Sequence, residues 1–342
     1  MSADFKWGIL STARIARSSF IPGVEATPGQ RVVAVASRSA GRAAEMAEAH
    51  GIPNACEGYE ALLADPNIDA IYNPLPNDLH VPWTVLAAKA GKHVLCEKPI
   101  AMTAAEAEEL RAAQRESGRL IVEAFMVHHH PQWKMARQLI GDGRIGAVGA
   151  IQTAFTYRQK DPGDIRNRPE TGGGGLYDIG CYAITTARAV FGAEPTRVFA
   201  AMDTDPEMCV DRLTSAIVEF PGGRHLTFTC ATQLAKRQFC QILGETAHMT
   251  LPLPFNPPRD HAASIIIDDG SDLTGARSDI ITVPAVDQFA LEVQSFAHRA
   301  RLCDAGDGAA DADGSLNDDI ANMRVIDALF RSGASGQWEP VG

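Results

Sequence analysis

What this chain lacks narrows its chemistry before any motif is read. Its seven cysteines (Cys56, Cys96, Cys181, Cys209, Cys230, Cys240 and Cys303) are odd in number and include no C-x-x-C pair. That pattern points to reduced thiols rather than a disulfide framework or a zinc site. No uninterrupted apolar run of about 18 residues occurs, so no segment reads as a membrane span. Basic residues are outnumbered, 31 Lys and Arg against 42 Asp and Glu, for a formal charge of -11. Binding to nucleic acid or an anionic membrane surface relies on basic patches and is not expected, so any anionic ligand has to be held by a few local cations. The stretch Met1-Ser2-Ala3-Asp4-Phe5-Lys6 runs directly into an expected strand and leaves no room for a signal peptide, which sets the expectation of a cytoplasmic protein. Internal repeats are absent as well.

What is present is an ordinary globular composition, 45% hydrophobic and 21% charged over 342 residues, enough for about two domains with a core each. Over residues 6–124, short apolar runs alternate with helical stretches. Trp7–Leu10, Val32–Ala36, Ala70–Pro74, His93–Cys96 and Leu120–Glu123 read as strands buried on both faces. Ile15–Ala26, Ala40–His50, Tyr59–Ala64, His80–Ala90 and Thr103–Ser117 read as helices, the last opened by a Thr103/Glu106 capping box. Gly51, Gly91 and Gly118 stand where helix C-caps are expected. This alternation predicts an α/β domain built on a doubly wound parallel sheet.

Past residue 145 the pattern changes to β-rich or alternating runs at Ala150–Arg158, Leu213–Phe220, Leu226–Thr232, Phe239–Gly244 and Ser264–Asp268, with a hairpin turn at Pro221-Gly222-Gly223. A mainly antiparallel sheet, open on one face and covered by helices on the other, is expected. Two helices, near 286–302 and 316–332, flank the acidic Gly/Ala-rich stretch Asp304–Gly314, which reads as a surface loop.

The literal dinucleotide fingerprint G-x-G-x-x-G is also missing. After the first strand the chain reads Gly8-Ile9-Leu10-Ser11-Thr12-Ala13-Arg14-Ile15-Ala16, with Ser11, Ala13 and Ala16 at the three glycine positions. Ala suffices for close helix–strand packing, and Ser and Ala serve the other two roles if their φ stays negative. The hydroxyls of Ser11 and Thr12 add donors at the positive end of the helix. These residues alone fit a plain βα turn equally well. About 20 residues further on, an NAD site calls for a carboxylate on the ribose diol. Here the second strand ends in Ser37, Arg38 and, one turn into the helix, Arg42. Guanidinium forks match phosphate oxygens, so NADP is favoured over NAD.

Three further motifs carry a resemblance. "GKHVLCEKP" at Gly91–Pro99, "PNDLH" at Pro76–His80 and "GGGGLYDIGCY" at Gly172–Tyr182, in this order and spacing, resemble the Gfo/Idh/MocA oxidoreductase family. "WGILSTARIA", "VEAFM", "HHPQ" and "DIR" place the resemblance in the branch of NADP-dependent D-xylose dehydrogenases and dimeric dihydrodiol dehydrogenases, which is similar to glucose–fructose oxidoreductase. In that branch the loop also carries Ser and Ala for Gly. The resemblance implies an NADP-binding Rossmann domain over residues 1–124. It implies a substrate-binding and dimerisation domain, with an open, mainly antiparallel sheet, over residues 125–342.

It also implies roles for particular residues. Ser11, Thr12, Ala13, Arg14 and Ile15, Ser37, Arg38 and Arg42, Leu75, Pro76, Asn77 and His80, Glu97, Lys98 and Arg166 are the candidates for holding cofactor. A cis bond precedes Pro99 in many members. Lys98, Asp178 and Tyr182 are the candidates for proton work. Asp178 and Tyr182 are four apart, on one face of a helix, and Gly172–Gly175 would let the backbone approach a ligand. Free Tyr, with a pKa of about 10, is a poor base near neutrality. Lowering it by two or three units takes about 3–4 kcal/mol of phenolate stabilisation, which the Lys98 ammonium in a desolvated pocket would supply.

His128-His129-His130 is not read as a metal site, because adjacent histidines do not converge on one ion. Val127 and His128 depart from the branch pattern of tyrosine–arginine–histidine–histidine, which leaves the favoured sugar open. The leading expectation is an NADP-dependent oxidation of a sugar at C1 to its lactone, in a homodimer or larger homo-oligomer. The alternatives are a trans-dihydrodiol dehydrogenase, a reductase of keto-sugars or dicarbonyls, or a non-catalytic NADP-sensing regulator.

Overall fold

A computed structural model describes residues 4–306 and 315–342. They form two compact units, Met1–Met126 with Gln288–Ile320, and Val127–Asp287 with Ala321–Gly342. A single division after residue 124 therefore misses the return of residues 288–320 to the first unit. The stretch Asp304–Gly314, expected as a surface loop, lies from residue 307 on outside the described residues.

The first unit holds a six-stranded sheet in the order β3-β2-β1-β4-β5-β6. Its strands are β1 Phe5–Leu10, β2 Gln30–Ser37, β3 Asn54–Glu57, β4 Ala70–Asn73, β5 His93–Glu97 and β6 Ile121–Ala124. All pairings are parallel, so every strand delivers its C-terminal end to the same edge. β4 is buried throughout and β5 nearly so, the reason they read as continuous apolar runs. β3 is the exception: a largely exposed edge strand with the sequence Asn-Ala-Cys-Glu, it has no apolar run to reveal it.

Trp7 anchors the core of this unit. Its ring is fully buried, edge-on to Phe20 at 5.2 Å and 5.0 Å from Phe296, and Phe20 stacks on Tyr72 at 3.8 Å. The Trp7 indole N–H donates to Gln30 Oε1 at 2.8 Å, and Gln30 donates on to the Val293 carbonyl at 3.2 Å. Helix Gln288–Asp304 is drawn onto β1 and β2 in this way. Gly23 permits the approach, since a Cβ there would lie 3.0 Å from the Ala290 nitrogen. Thr103 caps its helix at Glu106 N–H as expected, while Glu106 reaches back to the Met102 N–H at 3.0 Å.

The second unit is a nine-stranded sheet in the order β14-β13-β12-β11-β7-β10-β9-β8-β15. Its strands are β7 Val148–Arg158, β8 Arg197–Thr204, β9 Asp211–Phe220, β10 Arg224–Ala231, β11 Gln233–Gly244, β12 His248–Leu251, β13 Ala263–Asp268, β14 Asp279–Val283 and β15 Glu339–Pro340. Only β7 and β10 pair in parallel. The Pro221-Gly222-Gly223 turn joins β9 to β10, with φ of +82° and +75° at its glycines. Thr214, Ala216, Val218, Leu226, Phe228 and Cys230 point to the buried face, Ser215 and Ile217 to the open one. Helix Cys181–Phe191 lies on the buried face, its entry at Gly180 so close that a Cβ would stand 3.1 Å from Cys230 Sγ. Among the described residues no helix is long and apolar enough to cross a membrane.

Phe296→Ala should destabilise the first unit by about 3–5 kcal/mol, the cost of emptying a large aromatic site in a packed core. Urea unfolding of the variant and the parent chain measures it, and a loss under about 1 kcal/mol would remove this helix from the core.

Candidate active site

Every predicted cofactor residue of the first unit lies at the edge where its parallel strands end. β1 ends at Leu10 and the chain turns at Ser11, whose N–H donates to the Ala36 carbonyl at 2.9 Å. Ser11 has φ +80°. The condition of a negative φ is not met at Ser11, which adopts the left-handed conformation that the first fingerprint glycine would adopt without strain. Its hydroxyl accepts the Ala13 N–H at 3.3 Å, closing the turn. A continuous helical run follows from residue 14 to 25, through a π turn at Ala16–Phe20. Thr12, Ala13, Arg14 and Ile15 thus occupy its N-terminal end, where backbone N–H groups and the helix dipole favour an anion.

Where β2 ends, Ser37 is buried and Arg38 and Arg42 are exposed. Ser37 accepts the Ser39 N–H at 3.3 Å, and Ser39 in turn caps helix Ala40–His50 through the Arg42 N–H. The Tyr59 hydroxyl is hydrogen-bonded to Arg38. Burial raises this phenol, and the charges of Arg38 and Arg42 oppose the shift. The Tyr59 ring stands edge-on to Trp83 at 4.8 Å. Two guanidinium groups, two hydroxyls and no carboxylate from Ser37 to Ala44 make a donor set that fits a phosphorylated ribose better than a free diol.

After β4, Leu75 is buried and Pro76 and Asn77 are half-buried. His80 does not present its ring as a cofactor contact. It is 1% exposed, with Nδ1 2.7 Å from the Pro99 carbonyl and Nε2 2.8 Å from the Leu75 carbonyl. Burial pushes the imidazole down to about 4 against the pull of those two carbonyls. A neutral ring has one N–H and can donate to only one of them. His80 therefore hydrogen-bonds one of these two edge loops and lies against the other.

β5 ends in Glu97, followed by Lys98, both half-buried, and a cis Lys98–Pro99 bond of the kind the resemblance implies. Tyr72 donates to Glu97 Oε1 at 2.6 Å and the Lys98 N–H donates to Oε2 at 3.3 Å. The Ile100 N–H is held by Glu123 at 2.8 Å. Beneath them Glu292 is buried, its carboxyl raised well above the usual range by burial and then by the Glu97 charge.

In the second unit, Leu176–Gly180 forms a π turn that leads into helix Cys181–Phe191. Asp178 and Tyr182 both reach β7. The Tyr157 hydroxyl donates to Asp178 Oδ2 at 2.5 Å, and the Tyr182 ring lies 5.7 Å from Phe155 and 5.5 Å from Phe255. Residues 155 and 157 share one face of their strand, so the two candidates do fall on one side. Arg166 Nε also donates to Asp178 Oδ2, at 3.2 Å, and its Nη1 lies 3.4 Å from Asp164. The Asp178 charge holds Arg166 firmly protonated. Burial and the same carboxylate raise the Tyr157 phenol.

At Gly173 and Gly174 the missing side chain makes room for the protein's own atoms. A Cβ at Gly173 would meet the Arg166 carbonyl at 2.6 Å, and one at Gly174, where φ is +115°, would meet Asp211 Oδ1 at 2.0 Å. Of the histidine run, His128 Nε2 lies 2.9 Å from the Thr185 hydroxyl, and His130 caps helix Pro131–Gly141 by accepting the Gln132 N–H. The expectations for single residues missed Tyr59, Tyr72, Tyr157 and Asp211. Only Tyr157 carries a local signal: it sits two positions from Phe155 on an expected strand.

Two family models match the chain: residues 5–125 match an oxidoreductase family with an NAD-binding Rossmann fold, and residues 133–250 match a GFO/IDH/MocA C-terminal domain. An uncharacterized oxidoreductase of Rhizobium meliloti is 43% identical over 98% of this chain and 99% of its own length. The D-xylose 1-dehydrogenase (NADP(+)) 2 of Haloferax volcanii is 34% identical over 96% and 98%. A 3-ketoreductase from Actinomadura kijaniata, solved in complex with NADP and TDP-benzene, is 31% identical with a TM-score of 0.89, covering 96% of this chain and 98% of that one. Other structures of that enzyme carry a tyrosine-to-phenylalanine or a lysine-to-alanine change.

Gly174→Ala should cost on the order of 2–5 kcal/mol, combining overpacking against Asp211 with left-handed strain. Gly192→Ala, at φ +58° in open space, should cost only about 1 kcal/mol. Thermal unfolding of both variants provides the comparison, and equal losses would mean that the Asp211 contact carries no weight.

Proposed function

The chain belongs to the GFO/IDH/MocA oxidoreductase family, and from that membership we propose that it is an NADP-dependent sugar dehydrogenase, oxidising an aldose at C1 to its lactone. The observation that carries this reading is the pairing of β7 with the segment Leu176–Phe191, which gathers the Asp178 carboxylate, the Tyr157 hydroxyl and the Arg166 guanidinium on the side where the Tyr182 ring lies. The D-xylose dehydrogenase relative supports the substrate class.

Bound NADP would supply the acceptor for the hydride of C1. The Ser11–Ile15 turn and helix start would hold its pyrophosphate, and Ser37, Arg38 and Arg42 its 2′-phosphate. Leu75, Pro76, Asn77, Glu97, Lys98 and Arg166 would complete its binding. Tyr182 takes the proton of the C1 hydroxyl, and the Lys98 ammonium lowers the cost of the phenolate. Asp178, held by Tyr157 and Arg166, orients a sugar hydroxyl. The proposal includes self-association through the open face of the nine-stranded sheet and a cytoplasmic setting.

The 3-ketoreductase at a TM-score of 0.89 favours a second reading, reduction of a keto-sugar. There the same Tyr182 donates its proton. The dihydrodiol reading stands on the same relay. A sensor would need none, so the joint presence of Lys98, Asp178 and Tyr182 favours catalysis.

A spectrophotometric screen of aldoses, diols and keto-sugars with NADP(H) and NAD(H) distinguishes these readings. Turnover of an aldose is expected, whereas tight NADPH binding with every substrate inert points to a sensor. Tyr182→Phe should abolish turnover and leave NADPH affinity nearly unchanged, and near-parental rates would remove Tyr182 from the mechanism. Arg38→Ala should raise the KM for NADP far more than that for NAD; equal increases would overturn the cofactor assignment.

A further inference from the structure

Asp211 opens β9 at the surface of the sheet, yet its side chain is 5% exposed and turned inward onto the Gly172–Leu176 turn. Its Oδ2 accepts the Leu176 N–H at 2.7 Å and the Thr214 hydroxyl at 3.1 Å. Its Oδ1 lies where a side chain at residue 174 would stand. The helical segment that begins at Leu176 has no cap from its own flanking residues. A strand 35 positions away in sequence supplies it instead, with a carboxylate at the end where the helix dipole favours negative charge.

That turn is connected on its other side to residues given roles above. Gly174 donates its N–H to the Arg166 carbonyl at 2.9 Å, and its own carbonyl accepts the Asp178 N–H at 3.1 Å. Gly173 donates to the Arg168 carbonyl at 2.9 Å. A shift of Gly174 therefore moves the main chain of Arg166 and Asp178 together.

We propose that Asp211 is a positioning residue for the reaction, its carboxylate fixing the Gly174–Leu176 turn and through it the placement of Arg166 and Asp178. The proposal rests on the reading that Asp178 and Tyr182 serve the substrate. Both donors point at Oδ2, and the ionised carboxylate is the stronger acceptor for them. Burial raises Asp211 to about 7, opposed by the Leu176 N–H and the Thr214 hydroxyl. The other groups around it are the Cys230 thiol of β10, itself raised by burial and by Asp211, and Cys181 and Asp178 of the helical segment, which act on that thiol. Arg212, the next residue of β9, pairs with Asp203 at 2.7 Å. As pH falls through about 7, Asp211 takes up a proton, the acceptor weakens and the turn loosens. Activity should therefore show a limb near neutrality that rises with pH.

The test compares Asp211→Asn with the full-length parent, using the sugar and NADP. kcat should fall by about 100-fold, the scale of an ångström-level misplacement. The Kd for NADPH should stay within about two-fold, and the limb near neutrality should disappear. Hydrogen exchange followed by mass spectrometry should quicken in peptides covering residues 165–180 and stay unchanged over residues 70–100. Thr214→Val, which removes one hydrogen bond to the carboxylate, should show the same changes at smaller size and carries the test if Asp211→Asn does not fold. An unchanged kcat and pH limb, or unchanged exchange over residues 165–180, overturns the proposal. Should the parent enzyme turn over no substrate, the functional reading fails on its own, and the exchange data alone decide whether Asp211 braces the turn.

Discussion

Asp211 places a carboxylate where the chain enters the helical segment that carries Asp178 and Tyr182, and its oxygens leave no space for a side chain at residue 174. Burying that group is costly unless donors surround it, and the Leu176 N–H and the Thr214 hydroxyl do so. Two consequences follow. Only glycine fits at the turn, and the turn cannot shift independently of β9. Asp178 is then held from two more sides, by the Tyr157 hydroxyl on β7 and the Arg166 guanidinium. With both donors on Oδ2, the orientation of this carboxylate is fixed.

The first unit solves a related problem at the C-terminal edge of its parallel sheet. Such an edge collects loops whose main-chain groups need partners. Here side chains buried beneath the loops provide them: His80 donates to one of the carbonyls of Leu75 and Pro99 that face it, Glu123 accepts the Ile100 N–H, and Asn73 accepts the Leu75 N–H. Glu97 is fixed by Tyr72, which is in turn stacked on Phe20 of the core. Lys98 stands on a backbone secured from below, and its ammonium is one reason the His80 imidazole disfavours a second proton.

Much of this was legible in the sequence because it is local. Period and run length betrayed β1, β2, β4, β5 and β6, helix Ala40–His50 and the cap at Thr103. The same logic failed at β3, whose four residues bury little, and at Ser11, where the nature of the residue argued for a negative φ and the geometry of the turn prevailed. The roles of Lys98, Asp178 and Tyr182 follow from the family resemblance, which does not extend to the tyrosines packed around them. Tyr59 and Tyr72 look like plain core aromatics when read along the chain, and their hydroxyls gain meaning only from Arg38 and Glu97, which arrive from other elements.

By itself the sequence determined the fold class, the family and the chemical character of each end of the sheet, since alternation, turn residues and motif spacing are properties of neighbours along the chain. The return of helix Gln288–Asp304 to the first unit, the inward rotation of His80, and the partnership of Asp211 with a turn 35 residues away were settled only in three dimensions. Each depends on which buried polar or apolar group finds a partner across a long separation, and that balance of desolvation against hydrogen bonding and packing leaves no period or motif in the linear order.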